Sequence, residues 1–369
     1  IVNKIGQKAV GWQVAVSQRG RMIYSEKGGH AHAPYDGNVP MRTDIRANIG
    51  SVSKFITGVT FMKVLTAVMH NDPQKVEWFL NAKIINYLPA SWKNFAASGW
   101  EKVSFKHLLQ HKSGLTSNAP GGDAWLALLN PVNPGNRQYT NDNIKLLGYL
   151  TPMLIDQGLR VYLNNYYTSM GSAEAVMKIL GYRFRNLTRN IVLTKTIPSL
   201  YPLDCAPQWN HFYAKNYVDK NDGLAGDMFN SYLLKGGYCD PAGGWYANAT
   251  DLVQLSANVD YNRNFMPWFV QNLMYRPFGN KAQRDDRMVW ASQRFDQKIQ
   301  DVFGWNSVPY AGGYHPFMSK FGYRVNAAAT LVKLPLGYRV AVIANSGSDW
   351  GSWHLTKYAI EAWLKALNL

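Results

Sequence analysis

A serine and a lysine, three residues apart, come directly before a long apolar run. Ser51 and Lys54 come directly before residues 55–65, in which apolar side chains predominate. Such a run predicts a helix that is buried over most of its surface. Residues three apart share a helix face, so the lysine amine can reach the serine hydroxyl. Because a serine hydroxyl needs a base and a buried lysine loses its proton readily, the pair predicts an activated nucleophile.

Two apolar runs near the C-terminus predict paired strands. They cover residues 326–334 and 338–345, and Pro335-Leu336-Gly337 separates them with residues typical of a turn. Lys320 and Gly322 come on or just before the edge of this strand pair. A backbone N–H at such an edge can point into a cleft, which makes both residues candidates for a site.

A tyrosine and a second hydroxyl group lie in the middle of the chain, at the start of a helix-like stretch. They are Tyr167 and Ser169, and the stretch opens at Gly171 and runs to Leu180. A serine, a tyrosine, a second hydroxyl and two lysines are the groups that an acyl-transfer site built on serine uses.

In chain order, these residues resemble the motifs of the serine β-lactamase and penicillin-binding protein superfamily, above all the class C β-lactamases, DD-peptidases and their esterase relatives. That family carries S-x-x-K, then Y-x-N or Y-x-S, then K-T-G or H-x-G. The matching positions are Ser51 and Lys54, Tyr167 and Ser169, and Lys320 and Gly322. Residues 106–115 and 241–252 resemble two further family segments, of the form HLLTHTSGL and AGG followed by T-x-x-D-L.

The resemblance implies roles for these residues. Ser51 attacks an ester or amide carbonyl and forms an acyl-enzyme, while Lys54 and Tyr167 share the proton transfers. The backbone N–H groups of Ser51 and Tyr323 form the oxyanion hole. Tyr162, in Tyr162-Leu163-Asn164, is the alternative to Tyr167 as the motif tyrosine.

Two more roles concern the substrate. Ser169 is expected to hydrogen-bond the motif lysine or the acyl side chain of the substrate. Lys320 supplies positive charge that keeps Tyr167 acidic and attracts an anionic group.

Two departures from the family bear on specificity. Phe321 stands in the middle of the K-T-G motif, where the family has a hydroxyl, and Asp349 follows the last predicted strand. Neither favours a substrate carboxylate, so the sequence predicts an esterase, an amidase or a peptidase of other specificity. The alternatives are a β-lactamase or a DD-carboxypeptidase or transpeptidase acting on peptidoglycan, and a catalytically silent binding homologue.

The predicted fold is of the mixed α/β (α+β) class. Residues 10–17 and 21–25 predict an N-terminal hairpin, so a central antiparallel sheet is built from both chain ends and flanked by helices. This is a β-lactamase/transpeptidase-like plan, with residues 1–65 and 241–369 forming the sheet region and a C-terminal helix. Residues 66–240 form a mainly helical insert.

Composition narrows the partners. The net charge is +16, but the basic residues are scattered and no nucleic-acid-binding signature accompanies them. We expect a small-molecule, ester or peptide substrate, an anionic cell-envelope surface as a possible further partner, and no nucleic acid. Neither a cofactor nor a metal is expected, since Cys205 and Cys239 are too few and too far apart to hold zinc.

Localisation follows from the chain start and the cysteines. The chain begins at Ile1 with neither a methionine nor an apolar leader, as a processed exported protein would. We therefore expect a periplasmic or secreted protein, in which a disulfide between Cys205 and Cys239 is compatible with the compartment. No apolar stretch long enough to cross a membrane is expected.

Overall fold

The computed structural model describes residues 1–197, 204–205, 213–218, 226, 239–275, 308–310, 313–315, 318–324, 326–347 and 351–367. The strands in these parts of the chain are β1 (Gly11–Gln18), β2 (Arg21–His32), β3 (Val39–Pro40), β4 (Ala47–Asn48), β5 (Tyr246–Ala247), β6 (Val308–Tyr310), β7 (Gly313–His315), β8 (Met318–Arg324), β9 (Ala327–Lys333) and β10 (Tyr338–Ala344). Six of them form an antiparallel sheet in the order β3-β2-β1-β10-β9-β8. Two small ribbons, β4 with β5 and β6 with β7, lie outside this sheet.

The two ends of the chain meet in the middle of the sheet, as predicted. β1 pairs with β10, and Trp12 stands opposite Ala344. β1 and β2 form the expected hairpin, although β2 runs seven residues beyond the predicted end, from Ser25 to His32. Arg19 and Gly20 in its turn have φ values of +47° and +85°, the left-handed pair that a tight two-residue hairpin turn requires. β9 and β10 confirm the predicted C-terminal strand pair.

Helices cover both faces of the sheet. They are α1 (Val2–Gly6), α2 (Ser53–Val68), α3 (Pro73–Leu80), α4 (Ala90–Lys93), α5 (Phe105–Leu109), α6 (Asn141–Leu150), α7 (Gln157–Tyr166), α8 (Ala173–Thr188), α9 (Thr194–Thr196), α10 (Ala249–Tyr261), α11 (Trp268–Tyr275) and α12 (Gly351–Ala366). Helices α3 to α9 all fall in the predicted helical insert. The division of the chain into two regions stays a prediction.

Side chains that alternate along the strands contribute to two apolar clusters, one on each face of the sheet. On one face, Leu331 and Ile343 belong to the larger core cluster together with Phe55 of α2. On the other face, Val332 and Val342 pack with α12; we call this second group the α12 cluster. Successive side chains of a strand point to opposite faces, so one apolar strand supplies both layers.

Helix α2 is long and largely apolar. Gly50–Val68 is apolar enough over 19 residues to span a membrane by length and composition alone, which corrects the expectation that no such stretch exists. However, 78% of that stretch is buried inside the protein. Its composition therefore reflects a place in the core, and it brings Ser51 and Lys54 to the sheet.

Candidate active site

The predicted serine and lysine meet at the start of α2. Ser51 lies in a 3-10 turn, Gly50–Val52, immediately before the helix. Lys54 Nζ donates hydrogen bonds to Ser51 Oγ and to the carbonyl oxygen of Ala242, each at 2.8 Å. The lysine side chain is buried, so both bonds lie in a region where water competes weakly for them. The one-turn contact predicted from the spacing is confirmed.

The tyrosine at the serine is Tyr139, which the sequence analysis missed. Its hydroxyl donates to Ser51 Oγ at 2.8 Å. Tyr139 stands just before α6, and Tyr139-Thr140-Asn141 reads Y-x-N. The Y-x-N pattern is a sequence signal for this residue, because Tyr139 lies just before a helix, as the motif tyrosine of the family does.

The two tyrosines proposed from the sequence lie elsewhere, and this corrects both predictions. Tyr167 follows α7, packs against the core, and has its hydroxyl 3.4 Å from that of Tyr162. Leu159 and Leu163 are the buried side of α7, which leaves Tyr162 largely in solvent.

Ser169 is also exposed, and its backbone carbonyl accepts a hydrogen bond from the hydroxyl of Ser172. The structure therefore brings neither Tyr167 nor Ser169 into the described contacts of Ser51 and Lys54.

The strand β8 passes directly beside the nucleophile. A Cβ atom added to Gly322 would lie 2.0 Å from the carbonyl oxygen of Ile49 and 2.7 Å from the backbone nitrogen of Ser51. Only glycine permits this approach, which explains the glycine of the K-x-G pattern. Tyr323 follows in the same strand, opposite Ala328; its part in an oxyanion hole stays a prediction.

Lys320 enters the site from the same strand. It is buried, and its Nζ lies 5.2 Å from the centre of the Tyr139 ring, where Lys54 Nζ lies at 5.0 Å. Burial lowers the pKa of Lys320 to about 8, with Lys54 and Arg137 lowering it further and Tyr139 opposing them. Two ammonium groups thus flank one phenol ring, a cation–π arrangement that also favours negative charge on the ring oxygen.

Phe321 does not share this side of the strand. It packs against the α12 cluster, on the sheet face opposite Lys320 and Gly322. Its register partner, Thr330, hydrogen-bonds Thr356 of α12. The alternation of a β-strand therefore corrects the prediction that Phe321 contacts the substrate. Asp349, the second predicted departure, lies outside the described residues.

The segment after Cys239 holds the lysine in place. The carboxylate of Asp240 accepts from the N–H of Ala242 at 2.8 Å, and the carbonyl of Pro241 accepts from Thr57 of α2. Cys205 and Cys239 are disulfide-bonded. The bridge therefore ends three residues before the carbonyl that binds Lys54.

A buried ion pair between Arg46 and Asp251 of α10 stabilises the same part of the fold. Arg46 donates to Asp251 at 3.1 Å, and both side chains are buried. Burial raises the pKa of Asp251 to about 6, against the opposing effect of Arg46 and the Asn248 backbone. Residues 241–252, noted for their family resemblance, are thus structural supports of the site. Within the described ranges, no three metal-ligating side chains come together.

Ser51 accepts hydrogen bonds from Lys54 and Tyr139, and it lies beside the strand of the antiparallel sheet that carries Gly322. This arrangement defines a site of the acyl-transfer class with a serine nucleophile. The sequence model of the family named Beta-lactamase matches residues 2–346. The chain therefore belongs to the β-lactamase family of serine hydrolases.

Solved structures share the fold. A class C β-lactamase from Rhodobacter sphaeroides is 17% identical with a TM-score of 0.61, covering 98% of this chain and 96% of that one. A β-lactamase from Sulfitobacter sp. EE-36 is 17% identical with a TM-score of 0.59, covering 99% and 95%. SurE is 16% identical with a TM-score of 0.59, covering 94% of this chain and 69% of that one. No curated protein sequence matches the chain.

Proposed function

We propose that the protein hydrolyses an ester or amide through an acyl-enzyme on Ser51. The observation that carries this proposal is the pair of 2.8 Å hydrogen bonds that Ser51 Oγ receives, one from Lys54 Nζ and one from Tyr139 OH. Two groups able to transfer protons therefore meet at one nucleophile.

The acylation step follows from these contacts. Attack requires that Lys54 or Tyr139 first be deprotonated, because one of them must take the serine proton as Oγ bonds the carbonyl carbon. The bond to the leaving group then breaks, and the same pair of residues returns the proton to that group. The ammonium of Lys320, 5.2 Å from the Tyr139 ring centre, stabilises negative charge that develops on the phenol oxygen.

The backbone supplies the remaining groups of the proposed mechanism. The N–H groups of Ser51 and Tyr323 would bind the oxyanion of the tetrahedral intermediate. The close approach of Gly322 to the Ser51 nitrogen supports this assignment, because it brings β8 alongside the nucleophile.

A preference for esters or amides over β-lactams is part of the proposal. Its support is the sequence: Asp349 follows the last strand of the sheet, and an acidic residue there does not favour a substrate carboxylate. A β-lactamase or DD-peptidase is the second candidate, and the buried cation of Lys320 favours it by offering a charge to an anionic substrate. Steady-state kinetics on p-nitrophenyl butyrate, nitrocefin and a D-Ala-D-Ala-terminated peptide rank the three reactions.

A fluorophosphonate probe tests whether Ser51 is a reactive nucleophile. Labelling should be lost in Ser51→Ala and kept in Ser169→Ala, a matched control at an exposed serine. A folded protein that takes no label, or a Ser51→Ala variant that still takes it, would contradict the nucleophile and leave a catalytically silent binding homologue.

We also propose export to a periplasmic or extracellular compartment. The Cys205–Cys239 disulfide supports it, since such bridges persist in oxidising compartments. The net charge of +16 fits an anionic cell-envelope partner. Cell fractionation, and binding to envelope fragments that weakens with salt, would test these two points.

A further inference from the structure

The residue packed against the Tyr139 ring is a buried histidine. The rings of His111 and Tyr139 have centroids 4.7 Å apart and planes inclined by 32°. The carbonyl of His111 accepts from the N–H of Gln138 at 2.8 Å, and its side chain hydrogen-bonds the backbone of Thr140. His111 therefore contacts the tyrosine ring and both of its chain neighbours.

The backbone around this histidine is fixed in an uncommon conformation. His111 has φ of +57°, a left-handed value that side chains other than glycine adopt rarely. The carbonyl of Lys112 accepts from Gly135 N–H at 3.0 Å, and a Cβ added to Gly114 would lie 2.5 Å from the nitrogen of Asn133. Such a conformation persists where the surroundings determine it, and here those surroundings are the residues that lead to Tyr139.

The charges around His111 come from three elements. Burial lowers its pKa well below the usual value, and so do Lys320 of β8, Arg137 before α6, and Lys54 of α2, while the Thr140 backbone opposes them. Its Nδ1 is buried without a hydrogen-bond partner in the described structure. A proton there would add a further cation beside these three, so the imidazole stays neutral.

We propose that His111 is a positioning residue that acts through Tyr139. This inference rests on the proposed function, because the step that His111 assists is proton transfer at Ser51. Tyr139 is 38% exposed, so part of its ring faces solvent, and His111 packs against the ring inside the protein. The adjoining imidazole limits rotation of the ring and keeps the hydroxyl on Ser51 Oγ.

The first test replaces the imidazole without disturbing the backbone. Asparagine tolerates left-handed φ, so His111→Asn removes the aromatic face at little backbone cost. We expect fluorophosphonate labelling and ester kcat to fall about 10- to 100-fold, with KM changed by less than about threefold. His70→Asn is the matched control, since His70 has φ of +53° and is exposed; it should keep full rates.

The second test separates positioning from a structural role. In a Tyr139→Phe background, His111→Asn should cause no further loss, because residues that act as a unit are not additive. Equal rates for His111→Asn and the parent, or an undiminished loss in the Tyr139→Phe background, would overturn the proposal. Should His111→Asn not fold by circular dichroism, His111→Gly, which adopts left-handed φ without steric cost, is measured in its place under the same criteria.

These outcomes differ from failure of the proposed function. If the parent protein takes no fluorophosphonate label and turns over no ester, the hydrolase assignment is wrong. If the parent is active and only the His111 variants behave otherwise than expected, the hydrolase assignment stands and the positioning role falls.

Discussion

The amine of Lys54 lies 2.8 Å from the carbonyl oxygen of Ala242, a residue 188 positions further along the chain. The same amine donates to Ser51 Oγ. Lys54 thus ties the helix that bears the nucleophile to the segment that follows Cys239. The position of Lys54 therefore depends on a segment distant in sequence, although its proposed role depends on Ser51, three residues away.

Replacing Lys54 by methionine should abolish most turnover and leave the fold largely intact. Methionine fills nearly the same volume but cannot transfer a proton, and a positioned acid–base group contributes about 10²- to 10⁴-fold. Lys63→Met, on the same helix but bonded to the Phe265 carbonyl, is the control and should keep its activity. If Lys54→Met stayed within about tenfold of the parent, a barrier change under about 1.4 kcal/mol, the base assignment would be wrong.

The phenol oxygen of Tyr139 is the subject of a second prediction. Tyr139→Phe removes the hydroxyl that bonds Ser51 and should lower ester kcat by about 100-fold or more. Tyr167→Phe makes the same change where the hydroxyl meets only Tyr162 among its described hydrogen bonds, and should change kcat less than about threefold. A larger loss at Tyr167 than at Tyr139 would restore the motif tyrosine suggested by the sequence.

The contrast between these tyrosines shows how far the sequence alone could reach. Ser51 and Lys54 were predictable because helical periodicity alone places them together. Tyr139 is 88 residues from Ser51, and no local period connects them. The Y-x-N pattern makes Tyr139 a candidate, but its contact with Ser51 is visible only in the folded structure, where the segment before α6 packs against His111.

The strands show the same division. The pairing of β9 with β10 and the N-terminal hairpin followed from apolar runs and turn residues, which are local signals. The face that each side chain takes required the register of β8, which puts Phe321 and Lys320 on opposite sides of the sheet. A motif read as adjacent letters cannot show this separation.

Phe321→Thr should therefore affect stability and leave specificity unchanged. The ring is partly buried against the α12 cluster, and losing that packing should cost about 1–3 kcal/mol of unfolding free energy. Phe321→Leu should cost less because it keeps most of the apolar contact. Urea unfolding gives the stabilities, and the ratio of nitrocefin to ester kcat/KM gives the specificity. A shift of that ratio toward nitrocefin would return Phe321 to the substrate site.

Breaking the Cys205–Cys239 bridge should reduce both stability and activity. The cysteines are 34 residues apart, for which the loop-closure model gives about 3–4 kcal/mol. Activity should fall as well, because Ala242 follows Cys239 by three residues and its carbonyl binds Lys54. Cys205→Ser with Cys239→Ser can be compared with the oxidised parent by thermal melting and ester kcat at a temperature where both are folded. Unchanged kcat in the folded variant would show that the bridge acts on stability alone.

The charge state of Lys320 should set the alkaline limit of activity. Its pKa is lowered to about 8, chiefly by burial, so the ammonium beside Tyr139 is lost as the pH rises through that value. Ester kcat/KM should fall above pH 8 by up to tenfold for each pH unit. Lys333→Met is the control. Lys333 is also a partly buried lysine, and burial lowers its pKa to about 7, but it forms an ion pair with Asp260. Its replacement should therefore leave the alkaline limit of activity unchanged.

The contribution of Lys320 to the stability of the fold should instead increase with pH over the same range. Between about pH 8 and the ordinary lysine value of 10.5, the unfolded chain holds the Lys320 proton that the folded protein has released. The contribution of this group to the free energy of unfolding therefore rises with pH, and below pH 8 its burial cost is fully present. Lys320→Met should accordingly be more stable than the parent at pH 7, by at most about 3 kcal/mol, while losing activity. The difference should shrink toward pH 10.5, as urea unfolding at a series of pH values would show. A Lys320→Met variant that is less stable than the parent at pH 7 would mean that partners of the ammonium outweigh its burial.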